Sequence, residues 1–232
     1  MSKKTCSHNQ HYAEEKDKIM HENIMNIDPK EFMRTVDLHF HTTHSDGKNT
    51  PEEMLNAYKE KGFKKVAITD HNVLTAHKHL TIPDGIEVIK GIEFDCWDGY
   101  VFMHILGYNI DIDNPKLNKL CAKNHLAATN DIIRFINHRS AKKVIKTIKE
   151  AGGIAVLAHP ACCWSRDIKK TIKKLISYGL DGIETHYYYR RHRAYTKFYE
   201  PEYIKQIGDE LGILQTGGSD SHSVDAIIKL ED

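Results

Sequence analysis

His39 and His41 stand at the end of an apolar run, 36–40, that reads as a β-strand. Alternate side chains of a strand share one face, so the two imidazoles of this His-x-His pair can bind one ion. Asp220-Ser221-His222 repeats the spacing with a carboxylate in the leading place. His71 and His159 each follow a further strand candidate, Glu93 ends another, and His104 lies inside a fourth. Imidazoles mixed with carboxylates suit Zn²⁺, Mn²⁺ or Fe²⁺, whereas Ca²⁺ or Mg²⁺ alone would favour oxygen ligands throughout. The chain holds 16 histidines. Core packing does not call for that many, and the positions of these six point to metal chemistry.

Residues so far apart in the chain need a scaffold that gathers them. Strand candidates fall at 36–40, 66–69, 86–94, 100–106, 154–158, 182–184 and 213–216, with an irregularity expected at Gly91 and a turn at Trp97-Asp98-Gly99. Asp-Gly between apolar runs is a hairpin signal, so 100–106 should pair back on its predecessor. Thr50-Pro51-Glu52-Glu53 opens a helix with a cap, a first-turn proline and a capping box, and Gly62 closes it. A short helical stretch is expected up to Leu80, a basic amphipathic helix over 168–178 and another helix over 201–211. Alternation of this kind specifies an α/β fold of mainly parallel strands with helical crossovers, and seven strands favour a closed or nearly closed barrel over an open sheet. In a parallel barrel the C-terminal strand ends converge on one rim, and every candidate ligand reads as lying at or near such an end.

The remaining segments and the composition narrow the field. Residues 1–34 are polar and weakly periodic and read as an N-terminal extension, whose His8, His11 and His21 lack a carboxylate to organise them. Residues 109–151 are rich in Lys, Asn and Ala, contain no strand candidate and read as a short helical insertion in the domain 35–232. Little chain is left after the last strand, so closure of the barrel falls to the N-terminal extension or to another subunit. Lys plus Arg total 33 against 32 for Asp plus Glu, which leaves no global field to draw the chain to nucleic acid or to a membrane. Five cysteines, with Cys162 and Cys163 adjacent, argue against a disulfide framework. No run reaches the roughly 18 apolar residues of a membrane span. A cytoplasmic protein is expected, with no membrane and no stable nucleic-acid partner.

Four segments resemble the motifs of the PHP (polymerase and histidinol phosphatase) domain family. They are Asp37-Leu38-His39-Phe40-His41-Thr42-Thr43-His44-Ser45-Asp46-Gly47, Thr69-Asp70-His71-Asn72, Ala158-His159-Pro160 and Gly218-Ser219-Asp220-Ser221-His222. Gly91-Ile92-Glu93 and His104-Ile105-Leu106-Gly107-Tyr108 are similar to family segments as well. The resemblance implies a distorted (β/α)7 TIM-like barrel and a centre of two or three divalent ions, Mn, Zn or Fe. Carried over motif by motif, one ion takes His39, His41, Glu93 and Asp220. A second shares Glu93 and adds His104 and His159, and a third takes Asp46, His71 and His222. The implied activity is hydrolysis of a phosphate ester, with a small phosphorylated molecule or a nucleotide as substrate.

Closely spaced ions lower the pKa of a bridging water and clamp phosphate oxygens. His44, next to the first motif but outside the ligand set, is a candidate general acid. Asp70 should orient a ligand, and Glu184 reads as structural or as support for a ligand. Arg166, Arg190, Arg191 and Arg193 are candidate phosphate contacts, since guanidinium forks bind phosphate oxygens bidentately. The insertion is shorter than in the nucleotide-acting phosphatases of the family, which leaves a more open site. Two alternatives stay open: a regulatory metal-binding domain without activity, and a metal-dependent amidohydrolase.

Overall fold

The computed structural model describes residues 23–189 and 197–231. Seven strands form a single sheet in the order of the sequence: β1 (Val36–Phe40), β2 (Lys65–Ile68), β3 (Glu87–Asp98), β4 (Val101–Tyr108), β5 (Ile154–Leu157), β6 (Gly182–Tyr187) and β7 (Leu214–Gly218). β4 runs antiparallel to both neighbours, and the other pairs are parallel. The helices are α1 (Pro51–Glu60), α2 (Pro115–Leu120), α3 (His125–Thr129), α4 (Asp131–Ile136), α5 (Ala141–Glu150), α6 (Ile168–Ile176) and α7 (Pro201–Leu211).

α1 forms as its sequence signals. Thr50 Oγ1 accepts from the Glu53 N–H at 3.2 Å, and Glu53 Oε2 accepts from the Thr50 N–H at 2.9 Å. Pro51 sits in the first turn, and Gly62 lies just beyond the end at φ 82°. The cap contributes about 1 kcal/mol. α5 is amphipathic, burying Ala141, Val144, Ile145 and Ile148 against β3, β4 and β5.

The sheet curves until its edges nearly meet. β1 and β7 share no regular ladder, but the His41 N–H donates to Ser221 O at 2.9 Å and the Asp220 N–H donates to His39 O at 2.7 Å. The Ser219 N–H adds a bond to Asp37 Oδ1 at 3.0 Å. A Cβ on Gly218 would lie 2.6 Å from His39 N, so only glycine permits this approach of β7 to β1. The seam is thus closed by the chain itself. One core cluster joins Leu38, Ala67, Leu106, Val156 and Ala158 from different strands and their ends, together with Ile24 and Phe32. Those last two belong to the stretch that reads as a polar extension, yet they are 1% and 3% exposed. They fill apolar space beside Val36, and Leu230 N–H donates to Met33 O nearby at 2.7 Å.

Three local expectations change. β3 continues through Trp97 and Asp98, and the turn falls at Gly99 and Tyr100. Trp97 remains extended because it pairs with Phe102 across the hairpin and packs on Phe135. Gly91 is not a bulge: β3 runs on through it, and a side chain there would collide with Ile68 O at 2.8 Å. The helical stretch after β2 is only one 3-10 turn, Thr75–His77. An irregularity appears instead in β1, whose register against β2 shifts between Asp37 and Phe40. There the strand passes from core residues Val36 and Leu38 to His39 and His41.

Candidate metal centre

β1 and the loop after it, the loops after β2, β5 and β7, and the strands β3 and β4 deliver all nine expected ligands to one place. Glu93 is its hub. Its Oε2 lies 3.3 Å from His39 Nε2, 3.2 Å from His41 Nε2 and 3.2 Å from His71 Nδ1. Its Oε1 lies 2.9 Å from His104 Nδ1 and 3.2 Å from His159 Nε2. Asp220 Oδ1 is 2.9 Å from His41 Nε2 and 3.5 Å from His39 Nε2. Asp46 faces His222 Nε2 at 3.4 Å, His41 Nδ1 at 3.7 Å and His71 Nε2 at 3.7 Å. Three groups of donor atoms lie close enough to hold an ion: His39, His41, Glu93 and Asp220; His71, Glu93 and His104; His41, Asp46, His71 and His222.

Strand direction explains two placements that the rim argument alone misstates. Glu93 is not at a strand end but midway along the long β3. His104 is likewise midway along β4, which runs antiparallel to β3 and sets His104 opposite Asp95, two residues beyond Glu93. Beyond the strands, three site residues turn sharply: Asn72, His159 and Asp220 have φ of 57°, 28° and 52°.

The donors are held ready for cations. His39 Nε2, both ring nitrogens of His41, His71 Nδ1 and Glu93 Oε2 are buried with no hydrogen-bond partner, an arrangement that costs free energy unless something positive fills it. The supports are in place. His39 Nδ1 lies 3.1 Å from Glu184 Oε1, and the His159 N–H donates to Glu184 Oε2 at 2.8 Å. With Nδ1–H committed to Glu184, His39 presents Nε2 to the centre. His222 Nδ1 sits 2.8 Å from Asp220 O, leaving Nε2 toward Asp46. Tyr187 O–H donates to Asp220 Oδ2 at 2.8 Å. Asp70, 1% exposed, accepts from Thr42 and Ser45 and so fixes the loop after β1 without touching the ligand cluster.

The electrostatics fit a displaced positive charge. Burial opposes charge on His39, but Glu93, Glu184 and Asp220 raise its pKa well above the ordinary imidazole value. Against the same cost of burial, the nearby carboxylates of Asp220 and Glu93 lift His41 to about 10, and Glu93 with Asp95 lifts His104 to about 9. Burial, with Arg134 adding to it, pushes His71 the other way, well below the ordinary value. Glu93 and Asp46 are held below the usual carboxylate range, their desolvation outweighed by the surrounding imidazoles, His71 foremost. Without metal, protons fill the role of the ions, so metal uptake should release protons.

The sign for stability follows. His39, His41 and His104 have raised folded values, so their contribution is full below the unfolded value near 6.5 and is lost as pH rises, through about 9 for His104 and about 10 for His41. His71 acts oppositely but is one group against three. Metal-stripped protein should therefore show a falling Tm from pH 7 to pH 9.5 in thermal melts, and metal-loaded protein a much flatter profile. A rising Tm in the stripped protein would contradict this picture.

The other expected site residues part company. His44 is half-buried, with Nδ1 2.7 Å from Thr75 Oγ1, and does not line the cavity of about 240 Å³ over the ligands. Arg166 is exposed and lines a separate surface cavity beside Asp98 and Lys174. Arg190, Arg191 and Arg193 lie outside the described residues. Two residues that the sequence reading did not single out belong to the site. Asp95, fully buried, has Oδ1 3.0 Å from His104 Nε2, the ring atom turned away from Glu93. Its spacing was a usable signal, because Glu93-x-Asp95 shares a strand face as His39-x-His41 does. Arg134 of α4 lines the cavity and reaches Asp46 and Asp95. No helix of the described residues is long and apolar enough to cross a membrane, and the four described cysteines are free.

Comparison with known proteins places these features in context. The sequence pattern of the PHP domain matches residues 37–216. The chain is 27% identical, over 80% of its length and 93% of the relative's, to the phosphoribosyl 1,2-cyclic phosphate 1,2-diphosphodiesterase of Eggerthella lenta. It is 29% identical to a 5'-3' exoribonuclease of Escherichia coli, over 63% of this chain and 55% of that one. Among solved structures, an amidohydrolase of Chromobacterium violaceum with bound sulfate and no metal superposes with a TM-score of 0.66 at 21% identity, covering 85% of this chain and 91% of that one.

Proposed function

Since the chain belongs to the PHP domain family, we propose that it is a metal-dependent phosphoesterase that hydrolyses a small phosphorylated molecule at a centre of three divalent ions. The observation that carries this reading is Glu93, a single buried carboxylate whose two oxygens face five imidazoles from four segments of the chain. A carboxylate so placed could be shared between ions, and one donor group, His39 with His41, Glu93 and Asp220, has the membership that the motifs imply, while the other two differ by exchanging His159 for His71 and by adding His41. On the motif assignment His39, His41, Glu93 and Asp220 would hold the first ion, Glu93, His104 and His159 the second, and Asp46, His71 and His222 the third, with Mn²⁺, Zn²⁺ and Fe²⁺ the ions this donor set suits. When bound, the ions supply a water of lowered pKa and a clamp on phosphate oxygens.

The chain's own groups set the conditions for that chemistry. Glu184 fixes the tautomer of His39 and the backbone of His159, and Tyr187 orients the Asp220 carboxylate. The cavity leads directly onto the ligands, and its walls of His71, Arg134, Cys162 and Tyr187 admit a phosphoryl group more readily than an extended polymer. The names of the two curated relatives, a diphosphodiesterase and an exoribonuclease, support phosphate esters as the substrate class.

A screen of phosphomonoesters, phosphodiesters and amides with added Mn²⁺, Zn²⁺ or Fe²⁺ tests the reading. Turnover of one phosphate-ester class is the expected result. Amide turnover without phosphatase activity would replace it with an amidohydrolase, and metal uptake with no turnover would leave a binding domain.

A further inference from the structure

His104 stands between two carboxylates of one strand. Its Nδ1 lies 2.9 Å from Glu93 Oε1, and its Nε2 lies 3.0 Å from Asp95 Oδ1. Glu93 and Asp95 share a face of β3, and His104 is the direct partner of Asp95 across the antiparallel pair. Turning the ring over would set carbons against both carboxylates, so the two contacts together fix which edge meets the centre. His159 Nε2 joins that edge, 3.3 Å from His104 Nδ1 and 3.2 Å from Glu93 Oε1. Three donor atoms meet there, and the far nitrogen of His104 is left to Asp95.

Asp95 is itself clamped. Arg134 donates to it twice, from Nε to Oδ2 at 3.0 Å and from Nη2 to Oδ1 at 3.0 Å. Asn72 Nδ2 donates to Asp95 Oδ2, and the Asp95 N–H donates to Asn72 Oδ1 at 3.1 Å. A bidentate guanidinium fork sets the plane of a carboxylate, which a point charge does not. Arg134 can act this way because α4 is fastened. Trp97 Nε1–H donates to Phe135 O at 3.0 Å, and Asn130 caps the helix through the Ile133 N–H at 3.0 Å. Arg134 is the buried residue of this helix, while Ile132, Phe135 and Ile136 are exposed. The insertion thus turns a charged side chain toward the centre and apolar ones outward.

A metal-binding imidazole gives one nitrogen to the ion and keeps a proton on the other. An acceptor at that proton holds the ring in place and makes it a better ligand. Asp95 is placed to be this acceptor for His104, as Glu184 is for His39. What supports the two acceptors differs. Glu184 is a residue of β6 and also receives the His159 N–H. Asp95 is set by a side chain from outside the barrel, so the orientation of His104 is tied to the insertion.

We propose that Asp95, clamped by Arg134, is a positioning residue that fixes His104 with its proton on Nε2 and with Nδ1 toward the ion it shares with Glu93. The insertion helix thereby helps to set the affinity of that ion position. This rests on the three-ion reading and concerns occupancy, not turnover. His39, with its own support in Glu184, is the internal control.

The first test needs no variant. In the full chain loaded with diamagnetic Zn²⁺, long-range ¹H–¹⁵N spectra of the imidazoles should show His104 protonated at Nε2 and bound through Nδ1. Binding through Nε2 would overturn the proposal. The second test is dialysis against chelator-buffered Zn²⁺, with bound metal counted by mass spectrometry and the same spectra recorded. Asp95→Ala should hold the ion at His104 about tenfold to a hundredfold more weakly, with the His39 signals still those of a metal-bound ring. Arg134→Lys, which keeps the charge but loses the fork, should weaken the same ion in the same direction and by less. Unchanged affinity in either variant, or a loss at His39 as large as that at His104, would overturn the proposal and leave the three-ion reading standing. Should Asp95→Ala fail to fold, the wild-type spectrum and Arg134→Lys decide. Wild-type protein whose His104 signals do not respond to saturating Zn²⁺ would take down both.

Discussion

Glu93→Ala should abolish metal binding and activity together, lowering kcat/KM by at least about a thousandfold. The substitution deletes the one group that touches His39, His41, His71, His104 and His159 at once. Five imidazoles would then surround a void, with the buried carboxylate that held protons or ions on them gone. On the proposed three-ion reading two ion positions lose a ligand by this single change, so metal content should fall by more than one equivalent. Glu93→Gln keeps the shape and one carbonyl oxygen but not the charge, and should retain the fold with sharply reduced metal. Metal analysis paired with kinetics decides the matter: a Glu93→Ala protein with full metal content and full turnover would remove Glu93 from the centre altogether.

The second large effect is on stability and sits one layer further out. Asp37, fully buried on β1, receives the N–H of Ser219 at 3.0 Å, the N–H of His39 at 3.1 Å and the O–H of Tyr58 at 2.9 Å. It thus ties β7, the irregular turn of β1 and α1 to one carboxyl group, at the seam where no regular ladder joins β1 to β7. Asp37→Ala leaves those donors buried and unsatisfied, at about 3 to 5 kcal/mol of stability, and loosens the strand that carries His39. Burial pushes the Asp37 carboxyl above the usual carboxylate range even though Ser219, His39 and Tyr58 pull it down. The carboxyl is therefore not held there for its charge, and Asp37→Asn should be tolerated far better: its oxygen can keep both backbone N–H groups while the hydroxyls of Tyr58 and Ser219 rotate to accept. Chemical denaturation of the two variants separates them. Equal losses in Ala and Asn would show that the negative charge, and not the set of acceptors, holds the seam.

How much of this was readable beforehand depends on whether a signal is local. The His39-x-His41 pair, the capping box at Thr50 and the antiparallel pairing of β4 back on β3 are fixed by neighbours a few residues away, and the structure has each of them, whereas Asp220 and His222 fall in different donor groups. The nearly closed barrel follows from alternation of elements. Arg134 and Asp95 were not found, because their roles arise from a contact across 39 positions between a helix of the 109–151 region and a strand. Nothing in Asp131-Ile132-Ile133-Arg134-Phe135-Ile136 says which side faces the protein, and the apolar majority argues for the wrong one. Ile24 and Phe32 were hidden similarly: two apolar residues in a polar stretch make no periodic pattern, although both end up in the core. Composition marks a turn region at Trp97-Asp98-Gly99 without fixing its first residue, whereas cross-strand packing of Trp97 decides where the strand stops.

The sharp turns at Asn72, His159 and Asp220 carry a consequence of their own. A left-handed backbone is unfavourable for any residue with a Cβ, although Asn, Asp and His bear it better than other side chains. Glycine would suit each position better as backbone, yet glycine at 159 or 220 would bring no donor atom to the rim. Two pressures on those codons therefore oppose each other. A lineage or a laboratory screen rewarded only for robustness in metal-poor surroundings gains by surrendering the histidine and the aspartate, and one rewarded for catalysis must keep them and accept the strained turn.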